Sequence, residues 1–117
     1  MLEGVFLTVV IPVFNREGLV LRAVKSALAD PSRDIEVVVV DDGSSDRSAE
    51  VVAGVSDPRL RVIRHLENRG RCPARNTGAR AASGTWLVFL DSDDELVPGG
   101  LEQIRRRAAA APPSIGK

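Results

Sequence analysis

The chain of 117 residues has one cysteine, one histidine, no tyrosine and no excess of charge of either sign. Each shortage removes a class of protein. The lone Cys72 cannot form an internal disulfide or a cysteine-rich zinc site, and it suits a reducing compartment. His65 stands alone, so a multi-histidine metal centre is excluded, and any Ser-His-Asp triad would have to contain it. Aromatic residues make up 3% of the chain, too few for the stacking platforms of single-strand nucleic-acid binders. A net charge of zero argues against bulk attraction to nucleic acid or to an anionic membrane. No apolar run approaches membrane-spanning length, and no basic region precedes the first apolar stretch. Neither a membrane segment nor a signal peptide is therefore expected. A cytoplasmic location is expected, with membrane attachment left open for a longer native protein. The first turn, Val13-Phe14-Asn15-Arg16-Glu17-Gly18, has no Gly-x-Gly-x-x-Gly, and no Walker A sequence occurs. A nicotinamide cofactor and a P-loop nucleotidase are set aside on that ground.

The residues present are those of one packed domain. Hydrophobic residues make up 44% of the chain, which predicts a domain over residues 1–111 and a frayed tail over 112–117. Val5 to Val13 reads as a first strand, with regular pairing expected to stop at Pro12, which has no N–H to donate. Asn15 is the expected N-cap of a helix carrying Leu19, Val20, Ala23, Val24, Ala27 and Leu28, which Asp30-Pro31 ends. Ile35 to Val40 is a second buried strand, rich in β-branched residues. A turn through Asp41-Asp42-Gly43-Ser44-Ser45-Asp46 leads to a helix over Ser48–Val55. Leu60 to Leu66, with arginines interleaved, is a third strand with an exposed face or edge. Pro73 opens a third helix to about Ala82, whose face of Ala74, Gly78, Ala81 and Ala82 permits close packing on a sheet. Gly84 is its expected C-terminal cap. Trp86 to Leu90 reads as a strand buried on both faces, and a last helix runs from about Leu101 to Ala111.

Strands alternating with helices predict a three-layer α/β/α, Rossmann-like parallel sheet, with strand order 3-2-1-4 favoured. That order puts the turns after strands 1, 2 and 4 at one crevice, at the carboxyl ends of adjacent strands. The last turn is the most loaded: Asp91, Asp93, Asp94 and Glu95 follow directly on the apolar run. Clustered carboxylates repel unless a cation sits among them, and oxygen ligands favour Mg or Mn. Taken alone, the same acids also suit a helix start, so capping and metal binding both stand at this point. Likewise Asp41-Asp42-Gly43-Ser44 reads as a turn with a cap or as a ligand loop.

Four segments in order carry a resemblance. They are Thr8-Val9-Val10-Ile11-Pro12-Val13-Phe14-Asn15-Arg16, Val39-Val40-Asp41-Asp42-Gly43-Ser44-Ser45-Asp46, Ala74-Arg75-Asn76-Thr77-Gly78 and Phe89-Leu90-Asp91-Ser92-Asp93-Asp94. Together they resemble the family 2 glycosyltransferases over about residues 6 to 105. The resemblance implies the nucleotide-binding half of a GT-A fold. It also implies transfer of a sugar from a nucleotide diphosphate sugar, often a UDP-sugar, to an acceptor hydroxyl, with Mn2+ or Mg2+. By that resemblance Pro12, Phe14 and Asn15 line the nucleotide pocket, Asp41 bonds the base and Arg75 reaches the nucleotide. Asp91 contacts the ribose or a metal-bound water, and Asp93 ligates the metal. In that family the catalytic base and acceptor surface lie well downstream of the acidic turn. No base is assigned here, and it is expected beyond Lys117. The chain is accordingly expected to be a shortened form that binds nucleotide weakly without turnover, and to self-associate through an uncovered sheet edge. Two other readings compete. A haloacid-dehalogenase-like phosphatase uses Asp-x-Asp after its first strand with Thr or Val two positions on, whereas here the motif follows the fourth strand and Glu95 stands in that place. A module gripping RNA through Arg59, Arg61, Arg64, Arg69, Arg71, Arg75 and Arg80 is opposed by the zero net charge.

Overall fold

A computed structural model of the chain describes residues 5–110. Four parallel strands are ordered β3-β2-β1-β4: β1 Leu7–Val13, β2 Ile35–Asp41, β3 Leu60–Arg64 and β4 Trp86–Phe89. Helices α1 Val20–Leu28, α2 Ser48–Ala53, α3 Arg71–Ala81 and α4 Gly100–Ala110 alternate with them. The expected topology is the one observed. The expectation for residues 112–117 lies outside the described residues.

The two central strands are buried along their whole length, as strands covered on both faces must be. Alternation sorts their side chains. Leu7, Val9, Ile11 and Val13 of β1 join Val37 and Val39 of β2 in one core with Val20 and Val24 of α1, Val52 of α2 and Leu101 of α4. Val38 and Val40 face the other way, onto Ala74 of α3. The small face of α3 allows that contact: a Cβ added at Gly78 would stand 2.3 Å from Val10 Cγ1.

Several local expectations are corrected. Pairing of β1 with β4 does end at Val10, short of Pro12, but pairing with β2 continues through Pro12↔Val40 and Val13↔Asp41. Proline's missing donor falls on the β4 side, because alternate residues of a parallel strand bond to opposite neighbours. Asn15 does not cap α1. The helix starts later, at Val20, after a turn in which Leu19 and Val20 donate to the Arg16 carbonyl. Gly84 does not cap α3, which ends at an extended Ala82. Its N–H instead donates to Thr8 Oγ1 at 2.9 Å, and a Cβ there would sit 2.6 Å from that oxygen. Nor is β4 buried on both faces. It is an edge strand, and Phe89, read as core, is 48% exposed.

Glu36 sits fully buried within β2. Its Oε1 accepts from Thr8 Oγ1 (3.0 Å) and the Ser83 N–H (2.9 Å), and Oε2 faces Arg61 Nη1 at 3.6 Å. These partners offset the cost of burying a carboxylate and fasten the turn before β4. At the same end of the sheet Arg59 donates to the carbonyls of Leu28 (2.9 Å) and Ser32 (2.8 Å), closing the carboxyl end of α1. No helix among the described residues is long and apolar enough to cross a membrane.

Candidate functional site

The turns after β1, β2 and β4 meet the first turn of α3 at one crevice of about 290 Å3. Pro12, Phe14, Arg16, Asp42, Asn68, Gly70, Arg71, Ala74, Asp91, Ser92 and Asp93 are among its lining residues. Of the residues singled out by resemblance, Pro12, Phe14, Asp91 and Asp93 are brought together there. Asn15, Asp41 and Arg75 are not in the lining.

Strand period explains Asp41. It has the parity of Val37 and Val39, so its side chain turns toward the α1/α2 layer, where it is fully buried. Neither carboxylate oxygen accepts a hydrogen bond, and the Arg64 guanidinium stands 3.3 Å from Oδ2. Asp42 has the opposite parity and reaches the crevice. Its Oδ1 lies 2.8 Å from His65 Nδ1 and accepts the Arg69 N–H (2.9 Å), while Oδ2 accepts the Gly70 N–H (2.8 Å). Burial pushes the Asp42 carboxyl up, but the His65 hydrogen bond and the two backbone donors outweigh it and hold it below the ordinary range. The next residue must be glycine: Gly43 has φ +72°, and a Cβ would meet the Glu67 carbonyl carbon at 2.5 Å.

Asn15 has a different task from the expected one. At φ +51° it takes the left-handed conformation that asparagine tolerates. Its Oδ1 accepts from the N–H groups of Ser45 (2.9 Å) and Asp46 (3.3 Å). In return the N–H groups of Asn15, Arg16 and Glu17 donate to Ser44 Oγ (3.0 Å), Ser48 Oγ (2.9 Å) and Asp46 Oδ2 (3.2 Å). The two turns are thus clamped to each other, and the clamp holds Phe14 and Arg16 at the crevice wall. Hydrogen bonding from Ser48 holds the Asp46 carboxyl low, against desolvation.

The acidic turn closes the other side. Carboxylate oxygens of Asp91, Asp93 and Asp94 lie within 4.8 Å of one another, a spacing that fits a small divalent cation with oxygen ligands. The turn is anchored from α1: Arg22 Nη2 donates to the Asp93 carbonyl (2.7 Å), and Ser26 Oγ, one helical turn on, accepts the Leu96 N–H (2.9 Å). Arg75 braces it from α3, with Nη2 3.5 Å from Asp91 Oδ1 and its guanidinium 5.8 Å from the centre of the Phe89 ring. Asp42, His65 and Arg22 carried no assigned role in the sequence reading. For Asp42 the signal was available, since counting parity from Val38 and Val40 points it to the α3 face.

A parallel 3-2-1-4 sheet with helices on both faces and an acidic turn at its crevice has the architecture of a GT-A type α/β domain. Residues 8–116 match the profile of Glycosyl transferase family 2, and the chain belongs to that family. It is 45% identical over 104 residues to the succinoglycan biosynthesis protein ExoO of Rhizobium meliloti (strain 1021), covering 89% of this chain and 30% of that protein. It is 36% identical over 105 residues to the GalNAc(5)-diNAcBac-PP-undecaprenol beta-1,3-glucosyltransferase of Campylobacter jejuni, covering 87% of this chain and 34% of that one. Residues 1–349 of S. aureus TarS, crystallised with UDP-GlcNAc, superpose with a TM-score of 0.83 at 27% identity, over 90% of this chain and 31% of that one. The mannosyltransferase PcManGT of Pyrobaculum calidifontis, in complex with GDP-Man and Mn2+, gives 0.70 at 32% identity, over 77% of this chain and 28% of that one. The chain thus spans about a third of the length of these relatives.

Proposed function

We propose that the chain is the donor-binding part of a glycosyltransferase, holding a nucleotide diphosphate sugar, with a UDP-sugar favoured, for transfer to an acceptor hydroxyl. One observation carries the reading: three turns from adjacent strands line one crevice with an aromatic ring, a fixed carboxylate and two acids, Asp91 and Asp93, of the acidic turn. The complexes of TarS with UDP-GlcNAc and of PcManGT with GDP-Man and Mn2+ support it.

Each residue's part follows from its position. Phe14 and Pro12 offer the apolar wall for a base. Asp42 is the acceptor for a base N–H. This replaces Asp41, whose carboxylate is buried on the other face. Arg16 and Arg71 supply positive charge beside the diphosphate. Asp91 lies at the ribose or the metal, with Arg75 bracing it. Asp93, with Asp91, is the ligand pair for Mn2+ or Mg2+. The bound ion would supply charge against the diphosphate and ease its departure as leaving group. The base that takes the acceptor's proton is assigned to no residue of this chain, and turnover by the chain alone is not expected. The free, exposed Cys72 supports a reducing, cytoplasmic location.

Thermal unfolding tests the reading. UDP with Mn2+ at a hundred times its Kd should stabilise the chain by about 2.7 kcal/mol over the ligand-free chain, and UDP alone at the same concentration should stabilise it less. Asp93→Ala should abolish the metal-dependent part. No stabilisation by UDP and Mn2+ at millimolar concentrations would refute the proposal, and measurable sugar transfer would refute the expected lack of turnover.

A further inference from the structure

Behind the crevice lies a buried polar cluster in which His65 and Thr77 have no part in that reading. His65 follows β3 directly and is 8% exposed. Its backbone N–H donates to the Asp41 carbonyl at 2.8 Å, which fixes where the ring begins. Nδ1 is 2.8 Å from Asp42 Oδ1, and Nε2 is 2.8 Å from Thr77 Oγ1 on α3. An ionised carboxylate has no proton to give, so Nδ1 carries the hydrogen and donates it to Asp42. On the far side the Thr77 hydroxyl also lies 3.0 Å from the Pro73 carbonyl. It can donate there while accepting from Nε2–H, or turn and donate to a bare Nε2. The Nδ1–H bond to Asp42 survives either choice.

Of the three donors that hold the Asp42 carboxylate, two are backbone N–H groups of the 69–70 loop. The third is the His65 ring, the one side-chain donor among them, whose Nε2 reaches Thr77 further along α3; Gly70 joins the carboxylate to the start of the same helix. That helix lines the same crevice at Arg71 and Ala74. We propose that His65 is a positioning residue for nucleobase recognition: the donor at its Nδ1 fixes the carboxylate plane of Asp42, while its contact with Thr77 only seats the ring. The proposal rests on the reading of Asp42 as the base acceptor.

Two substitutions separate this role from simple filling of space. An asparagine amide nitrogen reaches roughly where Nδ1 stands, so His65→Asn keeps the donor to Asp42 and loses Thr77. A glutamine amide nitrogen reaches roughly where Nε2 stands, so His65→Gln keeps Thr77 and loses Asp42. Thr77→Val leaves the donor to Asp42 intact and should disturb the fold little. UDP affinity is measured by calorimetry on the 117-residue chain and each variant, with thermal midpoints recorded beside it. Both His65 variants should lower the midpoint similarly. His65→Asn and Thr77→Val should bind UDP within about threefold of the parent, and His65→Gln about tenfold or more weaker. Equal affinities for the two His65 variants would overturn the proposal, as would a Thr77→Val loss matching that of His65→Gln. Should a His65 variant fail to fold, Thr77→Val still decides, since a loss of tenfold there contradicts the proposal and retained affinity supports it. Amide resonances of Asp42, Arg69 and Gly70 in the parent chain are followed as UDP is added. If they do not shift, the reading of Asp42 itself fails, and the role of His65 with it. If they shift while the two His65 variants bind alike, only the role of His65 fails.

Discussion

A single carboxylate shows how much local chemistry one position can hold. Asp42 is held below the ordinary carboxyl value of 3.8 because three donors outweigh its burial. A group depressed in the folded state gives stability that is fully present above its unfolded value and is lost as pH falls through the folded one. The urea midpoint should therefore drop on acidification below about pH 4, with Asp30, Asp46 and Asp57 contributing in the same direction. Asp42→Asn should flatten that drop while lowering stability at neutral pH, since one amide oxygen cannot serve three donors. An unchanged slope would show that the network does not set it. Asn15 makes the second case. Asn15→Ala removes the acceptor for Ser45 and Asp46 and leaves a Cβ residue at φ +51°, and should cost about 1–2 kcal/mol in urea unfolding. Asn15→Asp keeps an acceptor and should cost clearly less. Residue types in these turns were legible from the sequence, but partners were not. Asn15 reads as a cap because asparagine before a helical pattern usually is one. It bonds instead to residues 30 and 31 positions away, a contact that exists only once β1 and β2 pair.

Element scale is where the sequence spoke most clearly, and where its errors share one cause. The order of eight elements and the parity of the central strands follow from apolar runs and β-branched residues. The small face of α3 was equally plain, and its contact can be tested. Gly78→Ala gains helix propensity, worth about 1 kcal/mol, yet its Cβ would stand 2.3 Å from Val10 Cγ1 within a core that cannot yield freely. A net loss of about 1–3 kcal/mol is expected in denaturant unfolding, and a gain would mean that α3 lifts easily from the sheet. The misread features, Gly84 and β4, both depend on what lies across space rather than on spacing along the chain. Gly84 is small because Thr8 presses on it, and β4 is half exposed because the sheet ends there among the described residues. The tether from α1 to the acidic turn was hidden for the same reason. Arg22 is exposed and 71 residues from its acceptor, the Asp93 carbonyl. As a nearby positive charge it should weaken cation binding; as an anchor of the turn it should strengthen it. We expect anchoring to dominate, so that Arg22→Met weakens Mn2+ affinity several-fold in a calorimetric titration without changing metal-free UDP binding. Tighter Mn2+ binding in that variant would show that charge repulsion dominates.

At the scale of the whole molecule, a sheet with two edges must keep strangers from pairing with it. β3 manages its edge with Arg61 and Arg64, placed between partly exposed apolar residues, which is how natural edge strands resist addition. Among the described residues β4 has no such defence. It carries Trp, Leu, Val and Phe without a charge, and Phe89 stands half exposed at its end. Trp86 and Leu90 donate to the Phe6 and Val10 carbonyls of the neighbouring segment, so by alternation the N–H groups of Leu87 and Phe89 point away from β1. Those donors and the carbonyls beside them need a partner, and a second copy of the chain supplies an identical edge. The 117-residue chain should therefore self-associate, with sedimentation coefficients that rise across a micromolar concentration series. Leu87→Pro removes one outward donor without taking a hydrogen bond from the β1 ladder, so it should shift the series toward monomer and leave the fold intact by circular dichroism. A concentration-independent monomer for the parent chain would mean that β4 is too short or too twisted to template a partner, and the edge would then need no cover at all.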